Sequence, residues 1–97
     1  MASYVTLYKF TEQGIKTYTD TVQRVEAATV AAEKMGGKLR SVHWTIGQYD
    51  LVSLGEFPDD ETATAFNLKI GSAGNVRTTT MRAYDSAEMT KIIAKTK

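Results

Sequence analysis

Short runs crowded with aromatic and β-branched residues alternate along this chain with stretches in which apolar residues recur every three or four positions. The first run, Tyr4-Val5-Thr6-Leu7-Tyr8-Lys9-Phe10, reads as a strand. Thr11 then offers an N-cap. From Ile15 the apolar residues fall at Tyr18, Val22, Val25, Ala28, Ala32 and Met35, which is one face of a helix. Gly14 and the segment 17–21 weaken its first third, because glycine and β-branched residues cost helix propensity. A short helix, a break near Asp20 and a firm helix to Met35 are expected, with Gly36-Gly37 as the stop.

Two more strand-like runs, Leu39–Ile46 and Leu51–Phe57, flank Gly47-Gln48-Tyr49-Asp50, a hairpin signal. Val42, Trp44 and Ile46 share one face of the first run, and Ser41, His43 and Thr45 the other. A two-residue turn sets His43 opposite Val52. A three-residue loop sets Trp44 opposite Val52, leaves His43 beside Leu51 and Ser53, and exchanges the two faces. The second register gathers the apolar residues better and is the one expected, with Trp44 buried against the long helix.

Pro58-Asp59-Asp60-Glu61 opens the next helix, where acidic residues suit the N-terminus and Asp59 can cap it. Ala63, Phe66 and Ile70 form its inward stripe, and Gly71-Ser72-Ala73-Gly74 unwinds it. Val76–Tyr84 is a threonine-rich last strand, followed by a short helix capped by Ser86 and carrying Met89, Ile92 and Ile93. The order strand-helix-strand-strand-helix-strand predicts an α+β, ferredoxin-like βαββαβ fold. It has four antiparallel strands with helices on one face, plus the extra C-terminal helix. Tyr4, Tyr8, Phe10 and Leu51 are expected on the open face. A second subunit is the simplest cover for such an apolar exposure.

Composition narrows the function classes. Ninety-seven residues is one domain's worth of chain, and one domain over 1–97 is expected. Twelve Lys+Arg stand against eleven Asp+Glu, with no basic stripe for nucleic acid. The absence of cysteine excludes disulfides, thiolate catalysis and cysteine-ligated metals. No secretory signal and no membrane-length apolar run is visible, so a cytoplasmic protein without membrane partners is expected.

The run Gly47-Gln48-Tyr49-Asp50, then Glu56-Phe57-Pro58-Asp59-Asp60, then Gly71 through Thr80, resembles the GYD-domain family. Tyr4, Thr11, Gln13-Gly14-Ile15 and the helix from Arg24 to Gly37 add to the resemblance, which runs from Tyr4 to Tyr84. Gln48 departs conservatively from the glutamate that many members carry there. The resemblance implies a small bacterial or archaeal protein of the dimeric α+β barrel type, in a family largely of unknown function. Superfamily relatives include cofactor-free monooxygenases, haem-using enzymes and ligand-sensing regulatory domains, so fold alone does not select the function.

His43 is the sole histidine and thus the one candidate for imidazole acid–base catalysis or haem ligation. Its plainer role is a sheet residue at a subunit contact. Tyr49 and Asp50 are read as turn residues, with Asp50 satisfying backbone donors. Gly71–Asn75 with Arg77 looks like an anion cradle, but it follows a helix instead of preceding one. Arg77 is expected to pair with a carboxylate such as Glu56. Asp59, Asp60 and Glu61 lack calcium-loop spacing, and no metal or other cofactor is expected. The leading expectation is a homo-oligomer, dimeric or larger, that binds a small molecule in a cleft on the open sheet face, lined by Tyr8, His43, Ser53, Thr78, Thr80 and Arg82. Its rivals are a small oxygenase or isomerase with His43 as base, in which Arg82 or Tyr8 steadies an oxyanion, and a purely structural or interaction subunit.

Overall fold

A computed structural model describes residues 1–97. Strand β1 (Ala2–Phe10) leads into a one-turn helix α1 (Glu12–Lys16), a 3-10 turn (Tyr18–Asp20) and helix α2 (Thr21–Lys34). Strands β2 (Lys38–Trp44) and β3 (Leu51–Phe57) follow, then helix α3 (Asp60–Ser72), strand β4 (Val76–Ala83) and helix α4 (Ser86–Ala94). The strands pair antiparallel in the order β2-β3-β1-β4. This is the ferredoxin-like βαββαβ architecture, with α2 and α3 packed on the sheet.

The caps explain where the helices begin. Thr11 accepts from the Gly14 amide and Asp59 from the Thr62 amide, each satisfying an otherwise orphaned donor. At α4 the cap is Asp85, not Ser86. Its carboxylate accepts from the Glu88 amide while Glu88 reaches back to the Asp85 amide. The helical periodicity predicted from Ile15 holds from Val25 to Met35. Ile15, Tyr18 and Val22 are exposed, because the 3-10 turn rotates the chain before α2 starts.

The two faces of the sheet are the reverse of those expected. Tyr4, Thr6 and Tyr8 of β1 are buried, as are Leu51, Ser53, Gly55 and Phe57 of β3, and they point toward the helices. Val5, Leu7, Val52, Leu54 and Met81 therefore lie on the outer face, where Val5 pairs with both Leu54 and Met81. Tyr4, Tyr8, Phe10 and Leu51 do not supply the open face, and Phe10 lines the space beneath the helices with Tyr8 and Leu51. His43 pairs with Val52 and Trp44 with Leu51, which is the register not favoured from the sequence. A six-residue connection, 45–50, replaces the tight turn. A bulge between Leu39 and Ser41 also shifts the alternation, so Leu39 packs against the core and Val42 lines the same side. Trp44 does face α2, donating its indole N–H to Thr21 Oγ1 at 3.0 Å, but it is 45% exposed and not a core residue. Ile46 lies in the loop, fully exposed.

The core is gathered at one end of the sheet. Phe66 of α3 and Phe57 of β3 stack with ring centroids 5.1 Å apart, and Tyr4 meets Phe57 edge-on at 6.1 Å. Ala32 and Ala63 let α2 and α3 approach these rings. Asp50 ties the hairpin to β1: its carboxylate accepts from the Phe10 amide at 2.8 Å, and its own amide donates to the Tyr8 carbonyl. Glu56 pairs with Arg40 at 2.7 Å, not with Arg77, which instead donates to the Gly71 and Val76 carbonyls.

Candidate functional site

Away from the aromatic core the helices do not fill the space above the sheet. Ala27, Ala28 and Ala31 of α2 stand over Tyr8, Leu51 and Val42, and alanines are too short to close the gap. The result is a cavity of about 280 Å³, apolar for most of its lining. Ile70 and Ala73 of α3 and Val76 of β4 form its other wall. Its polar residues are Thr21, Arg24, Lys69 and Asn75, together with the Tyr8 hydroxyl. That hydroxyl is joined to Ser53 Oγ at 2.8 Å in a buried pair, and burial pushes the Tyr8 phenol above its ordinary pKa.

A second, more open recess of about 440 Å³ lies around Tyr4, Asp60, Asn67, Thr78, Thr80 and Arg82. Tyr4 donates to Asp60 Oδ1 at 2.5 Å. Burial of the phenol, that hydrogen bond and the negative charge of Asp60 push the Tyr4 pKa up to about 12. The Arg82 guanidinium lies 5.6 Å from the Tyr4 ring and 4.6 Å from the Tyr84 ring. It also donates to the Ser3 and Ala83 carbonyls and meets Glu88 at 3.3 Å. Asn67 Oδ1 is buried here without a partner.

The residues expected to share one cleft are thus divided among three places. Tyr8, backed by Ser53, belongs to the apolar cavity. Thr78, Thr80 and Arg82 line the polar recess, and Thr80 Oγ1 lies 3.0 Å from Thr6 Oγ1. His43 is exposed on the opposite side of the sheet beside Val52. These side chains do not form one constellation with the imidazole, and the expected cleft on the open face is replaced by a cavity beneath the helices.

The segment 71–75 is a helix stop. The Ala73 and Gly74 amides donate back to the Ile70 and Gly71 carbonyls, leaving no cradle for an anion. No three His, Asp or Glu side chains cluster as a metal site. Arg24, Lys69 and Tyr4 were missed from the sequence. The available signal is the run of small residues in α2 facing large strand residues, which in the sequence has the same form as an ordinary helix stripe.

The solved structure of the leucine response regulatory protein of Mycobacterium tuberculosis superposes with a TM-score of 0.67 at 15% identity. The match covers 88% of this chain, which spans about half (51%) of that regulator. FFRP-DM1 matches at TM-score 0.61 and 17% identity over 87% of this chain and all (100%) of its own. At these identities the likeness bears on the fold alone. TTHA0845 from Thermus thermophilus is 25% identical with a TM-score of 0.57, over 89% of this chain and 96% of that one. Among curated proteins, the "Glutamine synthetase and cystathionine beta-lyase binding protein" of Thermus thermophilus is 26% identical over 90 residues, 92% of this chain and 95% of that protein. The model of the GYD domain matches residues 4–93, nearly the whole length, and the chain belongs to that family.

Proposed function

We propose that this chain is a binding module, one domain over residues 1–97, that takes a small apolar ligand into the cavity between its sheet and helices. It works as a homodimer closed over the outer sheet face. The observation that carries the reading is the apolar cavity of about 280 Å³, close to the lower end of ordinary ligand sites. The space opens to solvent on one side, and an apolar ligand there covers the lining that the short alanines of α2 leave without contacts. The outer face supports the dimer: Leu54 is 38% and Met81 44% exposed, in a sheet face with no helix of its own.

Native mass spectrometry of freshly purified protein reads both claims at once. A dimer carrying a small-molecule adduct is expected. A bare monomer at micromolar concentration, unchanged after incubation with octan-1-ol, contradicts both.

A second reading is favoured by the relative named for binding two enzymes, which aligns with this chain end to end. In that reading the module also docks on a protein partner, using α4. That helix buries none of its residues, leaves Met89 and Ile93 half-exposed, and is tied back through Arg82 and Glu88. Co-migration with purified glutamine synthetase from the same organism, lost on Ile93→Glu, is the expected result. No co-migration removes this second reading and leaves the first intact.

A further inference from the structure

The mouth of the apolar cavity has a chemistry that its walls do not. Among its lining residues are two cations, Arg24 and Lys69, and no aspartate or glutamate. Neither cation is paired elsewhere: the chain's two ion pairs are Arg40–Glu56 and Arg82–Glu88. Arg24 donates to the Gly14 and Thr17 carbonyls and to Thr17 Oγ1, which orient the guanidinium without supplying a counter-charge.

Both cations sit at one end of the helix layer. Gly14, held by Arg24, packs so closely on Asn75 that a Cβ would lie 1.9 Å from the Asn75 carbonyl oxygen. Gln13 beside it donates to the Ala73 carbonyl at 3.0 Å, just beyond Lys69 and Ile70 on α3. The N-terminal end of α2 and the C-terminal end of α3 therefore meet at this mouth, and Asn75 adds a side-chain amide.

We infer that the cavity selects a small amphiphilic carboxylate. Its aliphatic or aromatic body fills the space over Tyr8, Ala28 and Leu51, and its carboxylate sits at Arg24 and Lys69. The inference rests on the cavity reading proposed above and adds the ligand's charge to it. A volume of about 280 Å³ holds on the order of ten non-hydrogen atoms, taking roughly 30 Å³ for each water-sized atom. An eight-carbon acid is of that size. A carboxylate answers both cations without burying charge among the alanines, since the head stays at the wet rim. An ammonium amphiphile meets like charges there instead.

Trp44, the only tryptophan, donates to Thr21 on the cavity wall and so reports occupancy by its fluorescence. The test is a titration of the full chain at low salt with octanoate, octan-1-ol and octylammonium, followed by the same titrations of Lys69→Gln. Octanoate is expected to bind roughly five- to tenfold more tightly than octan-1-ol, as two partly exposed charge contacts allow. Octylammonium is expected to bind weakest. The octanoate preference shrinks as salt rises, and Lys69→Gln lowers octanoate affinity by a larger factor than it lowers octan-1-ol affinity. Arg24→Lys, which keeps the charge but loses the fork, provides a second variant. Equal binding of octanoate and octan-1-ol overturns the carboxylate inference and leaves the cavity reading standing. A preference that survives in both variants also overturns it. If none of the three ligands binds, the cavity reading itself falls.

Discussion

Tyr4 shows how much one hydroxyl can tie together. Its ring is in the aromatic core, its hydroxyl holds Asp60 at the start of α3, and Arg82 lies over its face. With its pKa raised from 10.0 to about 12, the folded protein keeps a proton that the unfolded chain releases first. That contribution is complete below pH 10 and is lost as pH climbs toward 12. Tyr8 is raised by burial as well and acts with the same sign. Urea denaturation at pH 8 and pH 11 is expected to show a stability loss that is smaller in Tyr4→Phe than in the parent. At His43 the expectation is different. His43→Ala leaves octan-1-ol affinity and fold intact but shifts the monomer–dimer balance, read by sedimentation at several concentrations, because the imidazole stands on the outer face. Unchanged assembly with lost ligand binding contradicts this. Single residues were the least legible scale. Trp44 depends on a register that Ser53 and Gly55 invert, and Arg77 lies out of reach of Glu56 because β1 runs between their strands, with Arg77 opposite Lys9 and Glu56 opposite Ser3. By placing small residues inside, β3 left its larger aliphatics, Val52 and Leu54, outside, and alternation cannot distinguish two such faces.

At the scale of elements most of the architecture was legible, because it rests on local chemistry. Threonine and aspartate caps, glycine stops and helical spacing fixed the number, kind and order of elements. What escaped was non-local. The bulge in β2 adds one residue that no periodicity announces, and Asp85 displaced Ser86 because only Asp85 has Glu88 three positions on. Two substitutions test the packing of elements. Phe66→Ala removes the largest fully buried side chain and is expected to cost roughly 3–5 kcal/mol in urea denaturation. Gly14→Ala drives a methyl group into the Asn75 backbone and is expected to cost roughly 2–3 kcal/mol, since neither α1 nor the entry to β4 can give way alone. A denaturation midpoint equal to the parent's in either variant contradicts the packing described. Trp44→Ala is expected to cost clearly less than Phe66→Ala, since the indole is half in solvent.

The whole molecule is a slab, 51 × 31 × 18 Å, one sheet and one helix layer thick. Such a slab has an outer sheet face to cover and, here, a gap inside. The aromatics expected on the outer face, Tyr4, Tyr8 and Phe10, lie instead under the helices, and the cavity is not legible in the sequence because it arises only when the alanines of α2 are set over specific strand residues. Amide chemical-shift mapping with octan-1-ol distinguishes binding beneath the helices from binding on the open face. The expected result is saturable shifts centred on Tyr8, Ala28, Ala31, Val42 and Ile70, abolished by the cavity-filling change Ala28→Phe. Shifts confined to Val5, Leu7, Val52 and Leu54, indifferent to that substitution, would contradict it.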